Sequence, residues 1–154
     1  MAELKEGLKA PVFTGIDQQG NEIKLSDFTG KKLVLYFYPK DNTPGCTAEA
    51  CSMRDNYDLF LKKGFAVVGV SPDSEKSHKS FAVKFALPFP LIADTSKKIL
   101  NDYGVWGEKK MYGKSYMGVI RTTFIIDGRG IIEKIITKVN TAGHAEQLFD
   151  MYNQ

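Results

Sequence analysis

The sequence predicts an α/β fold: a mixed central sheet flanked by helices, with a β-hairpin ahead of it. Three observations carry this. Two continuous apolar runs, Leu33–Tyr38 and Phe65–Val70, have the length and the β-branched and aromatic content of buried strands. Each is followed by a segment whose apolar residues recur at three- and four-residue spacing, the mark of an amphipathic helix. Strand signals then resume around an Asp-Gly turn at Asp127-Gly128, and a last helical segment closes the chain. A β-α-β-α order needs parallel crossovers while a hairpin needs antiparallel pairing, so the sheet has to be mixed.

Taken in order, Val12–Ile16 and Ile23–Leu25 flank the turn-rich Asp17–Asn21 and form the N-terminal hairpin. Leu33–Tyr38 is the central strand. A helix then opens with Thr43 at the N-cap and Pro44 at the first helical position, where a missing N–H costs nothing. Ala50, Met53, Tyr57, Phe60 and Leu61 form its apolar face, and Gly64 stops it. Phe65–Val70 is the second strand. Ser74–Ala86, with Phe81 and Phe85 four apart, is the second helix, ended by Pro88 and Pro90. Leu91-Ile92 leads into a short helical piece over Ser96–Tyr103. The stretch Trp106–Gly118, rich in Gly, Lys and Tyr, reads as a loop. Arg121–Ile126 and Ile131–Val139 pair across Asp127–Gly130, and Ala145, Leu148, Phe149 and Tyr152 mark a closing helix. No repeat, linker or low-complexity tract intervenes, so residues 1–154 are expected to form a single domain.

Composition narrows the function classes. The 154 residues are 43% hydrophobic and 25% charged, ordinary for a chain that buries a core. The net charge of +3 comes from scattered lysine doublets (Lys31-Lys32, Lys62-Lys63, Lys97-Lys98, Lys109-Lys110), not from the clustered stripe of a nucleic-acid binder. No run approaches the roughly 20 apolar residues of a membrane helix. Charges in Met1–Lys9 fall where an export signal needs an apolar core, so a cytoplasmic location is expected.

Chemistry concentrates between Pro39 and Asp55, which hold both cysteines. Cys46 falls in the first helical turn, where free N–H groups and the helix dipole stabilise an anionic sulfur, the nucleophilic form of cysteine. It shares the inner face of the helix with Ala50 and Met53. Cys51 lies roughly 140° around that helix and about 7.5 Å along it. A disulfide needs Cα atoms within about 7 Å and converging Cβ vectors, so an intact helix keeps the sulfurs apart and a 46–51 bridge requires unwinding. The loop so closed is too short to be a useful staple, and a redox cycle fits it better. Inert core cysteines and a zinc site are the alternatives. Against zinc, the spacing is C-x₄-C, and His78 and His144 are isolated and expected at the surface. The Cys-x-x-Cys of dithiol oxidoreductases is absent. No metal or cofactor is expected.

Pro39-x-x-x-Thr43-x-x-Cys46 resembles the active-site signature of the peroxiredoxins. The longer run Thr43-Pro-Gly-Cys-Thr-x-Glu-x-Cys51-x-x-Arg-Asp55 is similar to the peroxiredoxin Q branch, also called bacterioferritin comigratory proteins, and the likeness extends through Tyr103–Gly118 and Arg121–Asp127. The resemblance implies a thioredoxin-like fold and a thiol peroxidase acting on hydrogen peroxide and organic hydroperoxides. It implies that Cys46 attacks the peroxide and that Cys51 resolves the sulfenic acid to an intramolecular disulfide. Thr43 would hydrogen-bond the thiolate and peroxide, Arg121 would keep the thiolate ionised and orient the peroxide, and Pro39 would shield the sulfur. Glu49 matches a glutamate that supports this network, with a solvated helix residue as the alternative. Thioredoxin or a similar dithiol would recycle the enzyme, which would act as a monomer. A peroxide-sensing switch that signals to a partner, and a binding module on the same fold, remain as rival functions.

Overall fold

The computed structural model describes residues 3–152. β1 (Thr14–Ile16) and β2 (Glu22–Lys24) form the N-terminal hairpin, followed by a 3₁₀ turn at Leu25–Phe28. The main sheet is built from β3 (Lys32–Phe37), β4 (Phe65–Ser71), β5 (Leu91–Ala93), β8 (Thr122–Ile126) and β9 (Ile132–Ile136), in the spatial order β5-β4-β3-β8-β9. β3 runs parallel to β4, and β4 to β5, while β8 and β9 are antiparallel to their neighbours, so the sheet is mixed as the element order required. Helices α1 (Pro44–Asp55), α2 (Tyr57–Lys62), α3 (Glu75–Phe85), α4 (Lys98–Asp102) and α5 (His144–Asp150) cover it.

Strand alternation assigns the two faces. Leu33, Leu35 and Phe37 of β3 enter a core with Val68, Val70, Ile99, Leu100 and Phe124, under α4 and the N-terminal hairpin. Val34 and Tyr36, with Tyr38 just past the strand, enter the opposite core with Cys46, Ala50 and Met53 of α1, Phe60 of α2, Phe81 of α3 and Ala145 and Leu148 of α5. Cys46 is thus a core residue. The fully buried large side chains each contribute about 1.5–3 kcal/mol, and β3, buried at its last five positions, gives α1 a firm floor.

The structure departs from the sequence reading in four places. Trp106–Gly118 is not a loop: β6 (Trp106–Met111) and β7 (Lys114–Val119) form a hairpin. Its turn residues Tyr112 and Gly113 are both left-handed, the geometry of a tight two-residue connection. The helix after Thr43 does not run unbroken to Gly64. It stops at Asp55, because the Asn56 side chain donates to the Ser52 carbonyl (2.9 Å) and takes the place of the next helical hydrogen bond, and α2 then restarts. Thr43 occupies the N-cap, but its hydroxyl donates backwards to the Lys40 carbonyl (2.9 Å) and does not cap the helix. His78 and His144, expected at the surface, are both fully buried, because each ring finds hydrogen-bond partners far away in the chain.

Candidate active site

Pro44 at the first helical position starts α1 so that Cys46 lies in its first turn, and Gly45 beside it carries no Cβ, which would sit 3.4 Å from Arg121 Nη2. There the sulfur points into the core rather than into water, with the residue only 1% exposed. Arg121, the residue immediately before β8, reaches it from the adjoining strand: Nη2 donates to Cys46 Sγ at 3.1 Å. The other guanidinium nitrogen, Nη1, donates to Glu49 Oε1 at 2.6 Å. Glu49 lies one turn after Cys46 on α1 and is fully buried, not solvated. One cation therefore bridges a thiol and a carboxylate at the bottom of α1.

The electrostatics follow from burial. Burial pushes the Glu49 carboxyl up to about 7, although Arg121 pulls the other way. For Arg121, burial works against the charge, but Glu49 and Cys46 prevail and hold its affinity for the proton above the ordinary arginine value. Tyr36, from β3, is pushed well above the usual phenol range by burial and then by the neighbouring Glu49 and Cys46.

Next to this centre, the segment between β3 and α1 is fastened down. Asp41 accepts hydrogen bonds from Tyr38 Oη (2.7 Å) and Ser77 Oγ (2.7 Å), and its carboxylate meets His78 Nδ1 at 2.6 Å. His78 Nε2 lies 2.9 Å from the Ile92 carbonyl and must carry a hydrogen there. The Asp41 N–H donates to Asp73, which the Ser71 hydroxyl also reaches (both 2.8 Å). Asp41, Asp73 and His78 offer ligand atoms within 4.8 Å of one another. Both Asp41 oxygens, Asp73 Oδ2 and both His78 ring nitrogens are engaged by protein groups, so the cluster serves as an anchor for the loop. On the far side of α1, Ser52 Oγ accepts from the Ala145 N–H (3.0 Å) and ties α1 to the start of α5.

Among the residues singled out from the sequence, Cys46, Glu49 and Arg121 are brought together directly. Thr43 sits half-buried three residues before Cys46, with its proton committed to Lys40. Pro39 is half-buried at the end of β3. Cys51 is partly exposed further along α1, and both thiols are free. The sequence reading missed Tyr36, Thr123 and His144. Thr123 Oγ1 meets His144 Nε2 at 2.8 Å beside Glu49. A lone histidine after Gly143 carries no signal in the chain that it turns inward.

A buried thiol in the first turn of a helix, held against a guanidinium on a thioredoxin-like sheet, defines a thiol-based redox protein. The model of the AhpC/TSA family matches residues 7–135, and the chain belongs to that family. It is 45% identical over 141 residues to peroxiredoxin Bcp of Bacillus subtilis, covering 92% of this chain and 90% of that one. It is 43% identical over 144 residues to peroxiredoxin Bcp of Escherichia coli, covering 94% and 92%. Among solved structures, a cysteine-to-serine variant of Xylella fastidiosa PrxQ superposes with a TM-score of 0.92 at 33% identity, covering 99% and 97%. The bacterioferritin comigratory protein of Xanthomonas campestris, described for its alkyl peroxide reduction, superposes at 0.88 with 35% identity, covering 96% of each. Within the family, the chain is a peroxiredoxin of the Q or bacterioferritin comigratory branch, a thiol peroxidase by class.

Proposed function

We propose that Cys46 is the peroxidatic cysteine of a two-thiol cycle that reduces hydrogen peroxide and organic hydroperoxides and is reset by thioredoxin or a similar dithiol. The observation that carries this is the Arg121 guanidinium 3.1 Å from a buried sulfur in the first turn of α1. The Cys46 thiolate attacks the hydroxyl end of HO–OR. A sulfur–oxygen bond forms, the O–O bond breaks with its electron pair going to the leaving oxygen, and the alkoxide or hydroxide takes up a proton to leave as alcohol or water. Negative charge moves from sulfur to oxygen in this step, and Arg121 together with the first-turn N–H of Cys46 stabilises it. With its own proton on Lys40, Thr43 presents lone pairs that accept the O–H of the peroxide. Pro39 covers the sulfur, and Glu49 holds Arg121 in place. No metal or prosthetic group takes part.

Cys51 is the resolving cysteine. Its thiol condenses with the Cys46 sulfenic acid: the S–S bond forms, the S–O bond breaks and water leaves, carrying the thiol hydrogen. The separation of the two positions on α1 requires the first turns of that helix to unwind for this step. The donor dithiol then reduces the bridge by exchange and becomes a disulfide itself. The chain works as one domain, as a monomer in the cytoplasm; no helix among the described residues is long and apolar enough to cross a membrane.

Peroxide-dependent NADPH consumption with thioredoxin and its reductase tests the cycle, comparing hydrogen peroxide with a bulky hydroperoxide. Sustained turnover that vanishes in Cys46→Ser is expected. Oxidation of the protein without turnover would favour a signalling switch, and turnover by Cys46→Ser would remove the nucleophile assignment.

A further inference from the structure

The two oxygens of Glu49 are treated very differently. Oε1 takes the Arg121 hydrogen bond. Oε2 is fully buried and has no hydrogen-bond partner among the described residues. It faces His144 Nε2 across 3.6 Å, too far for a hydrogen bond.

The hydrogen-bond pattern around His144 explains that distance. The Gln147 amide is fixed by the backbone: its Nε2 donates to the Lys138 carbonyl (2.8 Å) and its Oε1 accepts from the Asn140 N–H (3.0 Å). Oε1 is therefore the atom 2.9 Å from His144 Nδ1, and Nδ1 must carry the ring hydrogen. In the neutral ring this leaves a lone pair on Nε2, which the Thr123 hydroxyl fills from one side (2.8 Å). That lone pair is then taken, so the neutral ring offers Glu49 Oε2 no hydrogen and the carboxylate oxygen stays unpaired. One proton shared between the two atoms, with the Thr123 hydroxyl turned away from Nε2 and the gap closed by a few tenths of an ångström, would turn this unsatisfied buried contact into a hydrogen bond.

We propose that His144 is a positioning residue of the active site: it shares one proton with Glu49 and thereby sets how much of the Arg121 charge is left for the Cys46 sulfur. This rests on Cys46 being the nucleophile. When the pair is protonated, Glu49 is neutral or faces an imidazolium, and Arg121 turns its charge to sulfur. When the proton leaves, an ionised Glu49 competes for the same guanidinium. Charge bookkeeping favours this coupling. With Cys46 as thiolate, Arg121 charged and Glu49 ionised, the cluster carries one uncompensated buried negative charge, which the shared proton cancels.

The surroundings place the titration near neutrality. Burial raises Glu49 to about 7, and burial also lowers His144, opposed by Gln147 and helped by Arg121. The other ionisable groups facing the pair are Cys46 on the same helix, Arg121 ahead of β8 and the Tyr36 hydroxyl on β3. On α5, Glu146 is turned to Ser52 instead (3.4 Å).

Two measurements test this. Ring nitrogens of ¹⁵N-histidine are followed by NMR in the reduced wild-type protein from pH 5 to 9. The Nδ1 hydrogen should persist throughout, Nε2 should show an inflection near pH 7, and Glu49→Gln should abolish that inflection. In parallel, the rate of the first peroxide step is followed by stopped flow across the same range. Wild type should show a limb near pH 7 with about a tenfold change, the worth of one pKa unit. Both His144→Leu and Glu49→Gln should lose that limb. A ring that holds one neutral tautomer with unshifted Nε2 across the whole range would overturn the proposal, as would a His144→Leu profile superimposable on wild type. A wild-type protein that consumes no peroxide would instead remove the peroxidase reading, and the NMR inflection is read independently of it.

Discussion

Replacing Glu49 with Gln changes little in shape and removes one buried ionisation, so its effect on stability can be worked out in advance. The Glu49 carboxyl moves from an ordinary value of 4.5 to about 7 on folding, chiefly through burial. The folded state therefore binds the proton more tightly than the unfolded chain, and stability must fall as pH rises between those two values. At 1.36 kcal/mol per pKa unit, the full loss is about 3 kcal/mol, of which roughly 2 kcal/mol falls between pH 5 and 8. Glutamine keeps an oxygen for Arg121 and, like the protonated acid, places no charge in the buried site. Urea unfolding at pH 5, 6, 7 and 8 measures the difference. With a slope of about 2 kcal/mol per molar urea, the midpoint of Glu49→Gln should gain about 1 M on that of wild type across the range. Parallel curves for the two proteins, or a wild type that gains ground as pH rises, would refute the reasoning.

Arg121→Ala should slow the first peroxide step by about 10²–10³, the usual worth of a donor aimed at developing oxygen charge, while leaving reduction of the oxidised protein by the dithiol donor near wild type; stopped-flow traces of the two half-reactions separate these. Cys51→Ser should react once with peroxide and stop, with mass spectrometry finding one or more added oxygens on the peptide holding Cys46; a disulfide between Cys46 of two wild-type chains with Cys51 left free would remove the resolving role. Asp41→Ala should cost about 1–3 kcal/mol by removing the shared partner of Tyr38 Oη, Ser77 Oγ and His78 Nδ1 in the core, and Asp41→Ala/His78→Leu should recover part of that loss; urea unfolding that finds no loss for Asp41→Ala would show that the cluster does not anchor the loop.

The elements legible in the chain are those whose local pattern and tertiary role agree. β3 and β4 are apolar because both faces are covered, α3 begins where Ser74 caps the Ser77 N–H, and the turn at Asp127 follows from its own side-chain hydrogen bonds. Cys46 was legible from its place in the first helical turn, but Glu49 and Arg121 were visible only through the resemblance, since 72 and 75 residues separate Arg121 from its two partners and no local rule joins them. The hairpin β6–β7 escaped because most of its residues face solvent on both sides and leave no alternation to read. The histidines escaped for a different reason. What buries His78 is Asp41, 37 positions away, and what buries His144 is Thr123, 21 positions away, so their environment exists only after folding.

The fastenings on either side of α1 bear on how the proposed cycle resets. Asp41 holds the chain entering the helix to β4 and α3, and Ser52 holds its later turns to α5. Between these points lie ten residues, including both cysteines. A segment that melts while its ends stay docked gains less entropy than a free one and keeps its ends at the distance the helix needs. Disorder is thus confined to a small cooperative unit over an intact sheet. Once the disulfide is reduced, re-coiling requires no search for partners. In the proposed cycle, the scaffold would act as a jig that returns the sulfur to its place after every turnover.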